Sequence, residues 1–133
     1  MCTEDTKRGV IQNRSRATQI NNFKNLRYGN ITPTDIDGFI DFGNRYFIYI
    51  EVKLLGNDLP YGQRLALERL CDATQRGGVS SITYVVKHNV QNFNDDVDVG
   101  DLYVSEYRQD FKWHEQVERI KLKDAITKMC FQQ

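Results

Sequence analysis

Two stretches of the chain are dense enough in Phe, Ile, Tyr and Val to read as strands, Ile36 to Phe42 and Arg45 to Val52. Gly43-Asn44 stands between them as a hairpin turn. A loop containing Gly56-Asn57-Asp58 follows. Pro60 then suits the first position of a helix, and Gly77-Gly78 supplies its stop. Within that helix Leu67, Leu70, Cys71 and Thr74 recur at helical spacing, while Arg64, Glu68, Asp72 and Gln75 fall on other faces. SSITYVV (Ser80 to Val86) and DLYVSEY (Asp101 to Tyr107) read as strands on either side of a polar loop, and Lys121 to Phe131 reads as a closing helix. Upstream, Val10 to Arg27 lacks Gly-Pro punctuation and carries a loose helical period. The order is therefore helix, hairpin, helix, strand, strand, helix: an α/β fold with a mixed central sheet flanked by helices, in one domain spanning residues 1–133.

The ends of the hairpin carry more charge than folding requires. A three-residue loop, Gly43-Asn44-Arg45, pairs Phe42 with Tyr46. Counting outward sets Asp37 opposite Glu51 and Asp35 opposite Lys53. Two facing carboxylates repel unless something positive lies between them, and one or two carboxylates with open positions for water and phosphate suit Mg²⁺. Lys53, on the same face as Glu51, is placed to orient a water and to stabilise charge building on a phosphate.

Composition sharpens this picture. The net charge is zero, which argues against a globally basic nucleic-acid binder, but the signs are unevenly spread. Lys7, Arg8, Arg14, Arg16, Lys24 and Arg27 precede an acidic run of Asp35, Asp37, Asp41, Glu51 and Asp58. A basic arm beside a carboxylate cluster suits an enzyme that grips a polyanion and holds a cation. Cys2, Cys71 and Cys130 form no metal or disulfide pattern. With no apolar run approaching the ~18 residues of a membrane span, they point to a soluble cytoplasmic protein. His88 and His114 lack partners at zinc spacing, Asn94 to Asp101 fails the calcium-loop pattern, and no phosphate-binding glycine loop is present.

PTDIDGFIDF (Pro33 to Phe42) followed by IYIEVK (Ile48 to Lys53) resembles the PD-(D/E)XK nuclease superfamily, the restriction-endonuclease-like fold that includes Holliday-junction resolvases and phage-type nucleases. The resemblance covers Pro33 to Val86. It implies a Mg²⁺-dependent nuclease in which Mn²⁺ substitutes, acting on nucleic acid, with DNA the first choice of polymer. Asp37 or Asp35 would take the first acidic position, with Asp37 preferred because it faces Glu51 in this register; Glu51 would be the second metal ligand, Lys53 the motif lysine, and Asp35 a further ligand or a neighbour of Lys53. Several branches carry a Gln on the next helix, and YGQRLALERL (Tyr61 to Leu70) offers Gln63 on the line through Leu67, Leu70 and Thr74. Arg14, Arg16, Lys24 and Arg27 would contact the nucleic-acid backbone. Many members add a Glu from the first helix, but none lies between Asp5 and Glu51, so a second metal has no obvious ligand. The competing expectation is a nuclease-like fold with an idle site that binds or inhibits another nucleic-acid enzyme. Related resolvases pair up, and a homodimer would double the grip of so small a domain.

Overall fold

The structure is a computed structural model that describes residues 22–92 and 95–131. The chain divides into two compact units, Met1–Pro33 and Thr34–Gln133. In the described part of the first, Tyr28 and Ile31 exchange backbone hydrogen bonds of 2.8 and 3.0 Å around Gly29 at φ 64°. Most of the expected Val10–Arg27 helix lies outside the described residues. Its described end, residues 22–27, forms turns instead of a helix.

The second unit is a five-stranded sheet in the order β1-β2-β3-β4-β5. Its strands are β1 (Gly38–Asp41), β2 (Tyr46–Leu54), β3 (Ser80–His88), β4 (Tyr103–Gln109) and β5 (Lys112–Glu115). The helices are α1 (Tyr61–Arg76) and α2 (Leu122–Phe131), and a short 3₁₀ turn spans Val99–Asp101. Only β2 and β3 are parallel, joined by α1 as the crossover that parallel strands require; the other pairings are antiparallel. The α/β class and the mixed sheet flanked by helices are thus present.

The hairpin closes as its residues dictate. Gly43 and Asn44 both take positive φ, 63° and 64°, the pair of left-handed residues that a type I′ turn needs. Phe42 N–H donates to Tyr46 O at 3.0 Å, and the ladder runs outward to Gly38 opposite Ile50. β1 starts later than the sequence suggested, at Gly38 rather than Ile36, because the residues before it leave the ladder. Pro60 stands one position earlier than expected: it precedes α1 and its carbonyl accepts the Arg64 N–H at 2.9 Å.

β5 went unread in the sequence. Its turn, Asp110-Phe111, has φ values of 54° and 65°, a I′-like conformation built without glycine and hence without the usual turn signature.

The sheet has two unlike faces. Ile48, Ile50, Ile82, Tyr84, Val86 and Val104 pack with Leu122, Ala125 and Ile126 of α2 into one dry core. The opposite face lies under α1, where Leu67 and Val85 pack with Leu59 and Trp113. One row of α1 that the period assigns away from the core, Arg64, Glu68 and Asp72, is engaged by β4 and β5, while Arg69, Ala73 and Arg76 stay exposed. Arg64 is bidentate to Glu106 at 2.9 and 2.7 Å, and Arg108 is bidentate to Asp72 at 3.0 and 2.6 Å. Glu68 accepts the Trp113 indole N–H at 3.0 Å and lies 3.4 Å from Arg108. β4 and β5 extend the sheet beneath this side of the helix, so a row at i, i+4 spacing meets partner charges and an indole N–H.

Asp72 and Arg108 are each only 8 % exposed. Removing one partner strands the other as a buried charge. Asp72→Ala is therefore expected to lower unfolding free energy by roughly 3 kcal/mol, read from the urea midpoint, whereas Asp101→Ala, which breaks the exposed 2.9 Å pair with Lys123, should leave that midpoint essentially unmoved.

Candidate active site

The site grows from the far end of the hairpin. Continuing the β1–β2 register one residue beyond Gly38–Ile50 sets Asp37 across from Glu51. Asp37 is held there by a hydrogen bond from Val52 N–H to its Oδ2 at 2.8 Å, so an exposed aspartate is fixed at the edge of a buried strand.

Glu51 is the unusual member. It occupies the α1 face of β2 and is 2 % exposed. Its Oε1 accepts from Gln63 Nε2 at 2.6 Å, and Lys53 Nζ stands 3.6 Å from the same oxygen. Its Oε2 is buried with no hydrogen-bond donor among the described residues. Burial raises the Glu51 pKa from 4.5 to about 7, reinforced by the negative charge of Asp37 and by a hydrogen bond shared with it; Lys53 and Gln63 pull the other way without prevailing.

Asp37, Glu51, Lys53 and Gln63 are thus brought together by three segments of chain: the run into β1, the end of β2 and the first turn of α1. Asp35 is exposed, and no third His, Cys, Asp or Glu among the described residues completes a group with the two carboxylates. Arg14 and Arg16 lie outside the described residues. Lys24 and Arg27 are exposed in the first unit, where Arg27 Nε donates to Gly29 O at 2.9 Å.

The donor set suits a hard divalent cation. Two carboxylates, one presenting a buried oxygen with no donor among the described residues, could hold a cation by oxygen-only ligation, the donor type that Mg²⁺ and Mn²⁺ take in preference to softer ions. Histidine, the usual imidazole ligand for zinc, is elsewhere: His88 Nδ1 accepts from Val90 N–H at 3.1 Å, and His114 stacks on Tyr107 with ring centroids 4.9 Å apart.

The apolar pattern of β3 stops at Val86, but the strand runs on to His88 and so includes Lys87. The parallel register places it directly beside Lys53 on the same face. A signal existed: both apolar runs end in Val-Lys, at Val52-Lys53 and Val86-Lys87.

No family model, curated protein or solved structure matches this chain. Among the described residues no helix is long and apolar enough to cross a membrane.

A raised carboxyl pKa means that the folded protein holds a proton the unfolded chain has lost, so stability falls as pH rises from 4.5 toward 7. In metal-free buffer the unfolding free energy should decline over that interval. Glu51→Gln, which cannot ionise, should remove most of the decline and be more stable than the parent at pH 8 by roughly 2 kcal/mol in urea titrations. A parent whose stability is level across this range would show that Glu51 titrates normally.

Proposed function

We propose that the protein is a small divalent-metal-dependent nuclease with a restriction-endonuclease-like core, hydrolysing phosphodiester bonds of nucleic acid, with DNA the favoured polymer. The observation that carries this reading is the buried Glu51 carboxylate, set opposite Asp37, with one oxygen bonded to Gln63 and the other without a donor among the described residues. A carboxylate placed so is costly to ionise for fold stability alone, and its surroundings make sense as one half of a cation site.

A bound Mg²⁺ would supply positive charge to neutralise the two carboxylates, acidify a water and polarise a phosphoryl oxygen. Asp37 and Glu51 would hold it. Gln63 fixes the Glu51 rotamer by donating to Oε1, which leaves Oε2 directed away from that bond. Lys53, with its side chain 22 % exposed, can reach past Glu51 to orient the attacking water and to offset negative charge gathering on the phosphate. The Asp-(x)-Glu-x-Lys order on two adjoining strand ends, and a mixed sheet with a helical crossover after the second of them, support the restriction-endonuclease-like assignment.

Incubation with single-stranded, duplex and branched substrates tests this directly. Cleavage should require Mg²⁺ or Mn²⁺ and stop with EDTA. Glu51→Ala and Lys53→Ala should each lower the rate at least about 100-fold, with Gln63→Ala intermediate. Mg²⁺ should also raise the thermal midpoint of the parent and not of Glu51→Ala. Cleavage that survives EDTA, or both substitutions, would sink the proposal.

A further inference from the structure

The face of the sheet that carries Glu51 continues beyond the carboxylates. Lys53, at the end of β2, pairs in register with Lys87 of β3, and Lys87 pairs with Tyr103 of β4. Direct neighbours share a face, and adjoining strands lie ~4.8 Å apart, so these three side chains form a row across the strand ends.

Tyr103 joins that row because of a β-bulge. Val85 pairs with Glu106 but Val86 pairs with Val104, so Ser105 is the extra residue on β4. Without it, alternation would turn Tyr103 toward the α2 core and Val104 toward the lysines. With it, Val104 stays in the core at 6 % exposure and Tyr103 emerges at 36 % beside Lys87. Arg119 extends the row, its guanidinium carbon 3.9 Å from the Tyr103 ring centroid.

Lys87 is held by groups that resemble a stand-in for substrate. Its Nζ donates to Asn57 O and lies 3.4 Å from the Asp58 carboxylate, which is 96 % exposed and so easily displaced by a stronger anion. Two neighbouring ammonium groups, then an aromatic face capped by a guanidinium, match successive phosphates followed by an unpaired base.

We propose that Lys53, Lys87, Tyr103 and Arg119 form a track for single-stranded nucleic acid that delivers a phosphodiester to Asp37 and Glu51. The inference rests on the nuclease reading and adds the state of the substrate. Lys87 takes a phosphate in place of Asp58, and a base stacks on the Tyr103–Arg119 pair. A duplex offers no free base face to that platform, so the strand engaged is an end, flap or loop.

Fluorescence anisotropy of a labelled oligodeoxynucleotide, alone and annealed to its complement, over a salt series with Ca²⁺ replacing Mg²⁺, tests the track on the full chain. The parent should bind the single strand more tightly than the duplex. Lys87→Gln should weaken single-strand binding about tenfold and reduce the salt slope by ~0.7, the loss of one phosphate contact. Tyr103→Leu should weaken it about tenfold with the slope unchanged and leave duplex binding alone. Asp58→Asn should tighten binding about twofold, which an anchoring role for the Lys87–Asp58 pair would not produce.

Tighter binding of duplex than of single strand, or unchanged affinity in both Lys87→Gln and Tyr103→Leu at parental thermal midpoints, would overturn the track. If those variants are unaffected while Mg²⁺-dependent cleavage persists, the track alone fails. If the parent binds with these dependences but does not cleave, the nuclease reading fails and the track stands. A parent that neither binds nor cleaves removes both.

Discussion

The arrangement of the second unit turns on the burial of one carboxylate. Glu51 sits near the end of a strand whose other inward residues are apolar, and at 2 % exposure it has almost no water to solvate a charge. Three neighbours address that cost unequally. Gln63 satisfies one oxygen, Lys53 supplies a positive charge at 3.6 Å, and Asp37 adds a second negative charge that makes matters worse. Without Asp37 the group would still be a buried acid with Gln63 and Lys53 at one oxygen and no donor at the other among the described residues. With it, the pair calls for a shared proton or a cation, which links the charge pattern to the proposed chemistry.

The surrounding fold keeps this conflict in place. Val52 N–H fixes Asp37, the type I′ turn at Gly43-Asn44 sets the register that opposes the two carboxylates, and the β2–α1–β3 crossover lays Gln63 over Glu51. The helix is pinned along its length by ion pairs, Arg64 to Glu106 near its start and Asp72 to Arg108 near its end. Arg64 is the residue after Gln63 and also lies over the Trp113 ring at 4.6 Å, so the first turn of α1 has little freedom to lift away from the site. Buried pairs of this kind add little net stability over an apolar core, but they specify one docking of helix on sheet.

The two faces divide the work. The α2 face is mainly apolar at its centre and holds the sheet together, with Gln109 and His114 toward the β4–β5 end. The α1 face is mixed, with hydroxyls and charges beneath the helix and the Lys53, Lys87 and Tyr103 row beyond it. Thr74 Oγ1 lies 2.6 Å from Ser81 Oγ, and Tyr49 O–H donates to Thr74 Oγ1 at 3.3 Å. The bulge at Ser105 reconciles the faces on β4, keeping Val104 in the core while turning Tyr103 to the polar side.

The sequence by itself determined the strand–turn–strand unit, the crossover helix between Pro60 and Gly77, the second and third apolar strands and the closing helix, because periodicity and Gly/Pro punctuation are local properties. It favoured Asp37 over Asp35 as the carboxylate facing Glu51, since hairpin loop length is local too, and the observed ladder runs toward that pairing as far as Gly38–Ile50. Tertiary structure alone decided that Glu51 is buried while Asp37 is exposed, that Arg64, Glu68 and Asp72 meet β4 and β5 rather than water, that Asp110-Phe111 turns the chain into β5, and that Lys87 and Tyr103 align with Lys53. Each depends on which strand lies beside which and on what the helix covers, and those pairings join residues far apart in the chain, beyond the reach of any local pattern.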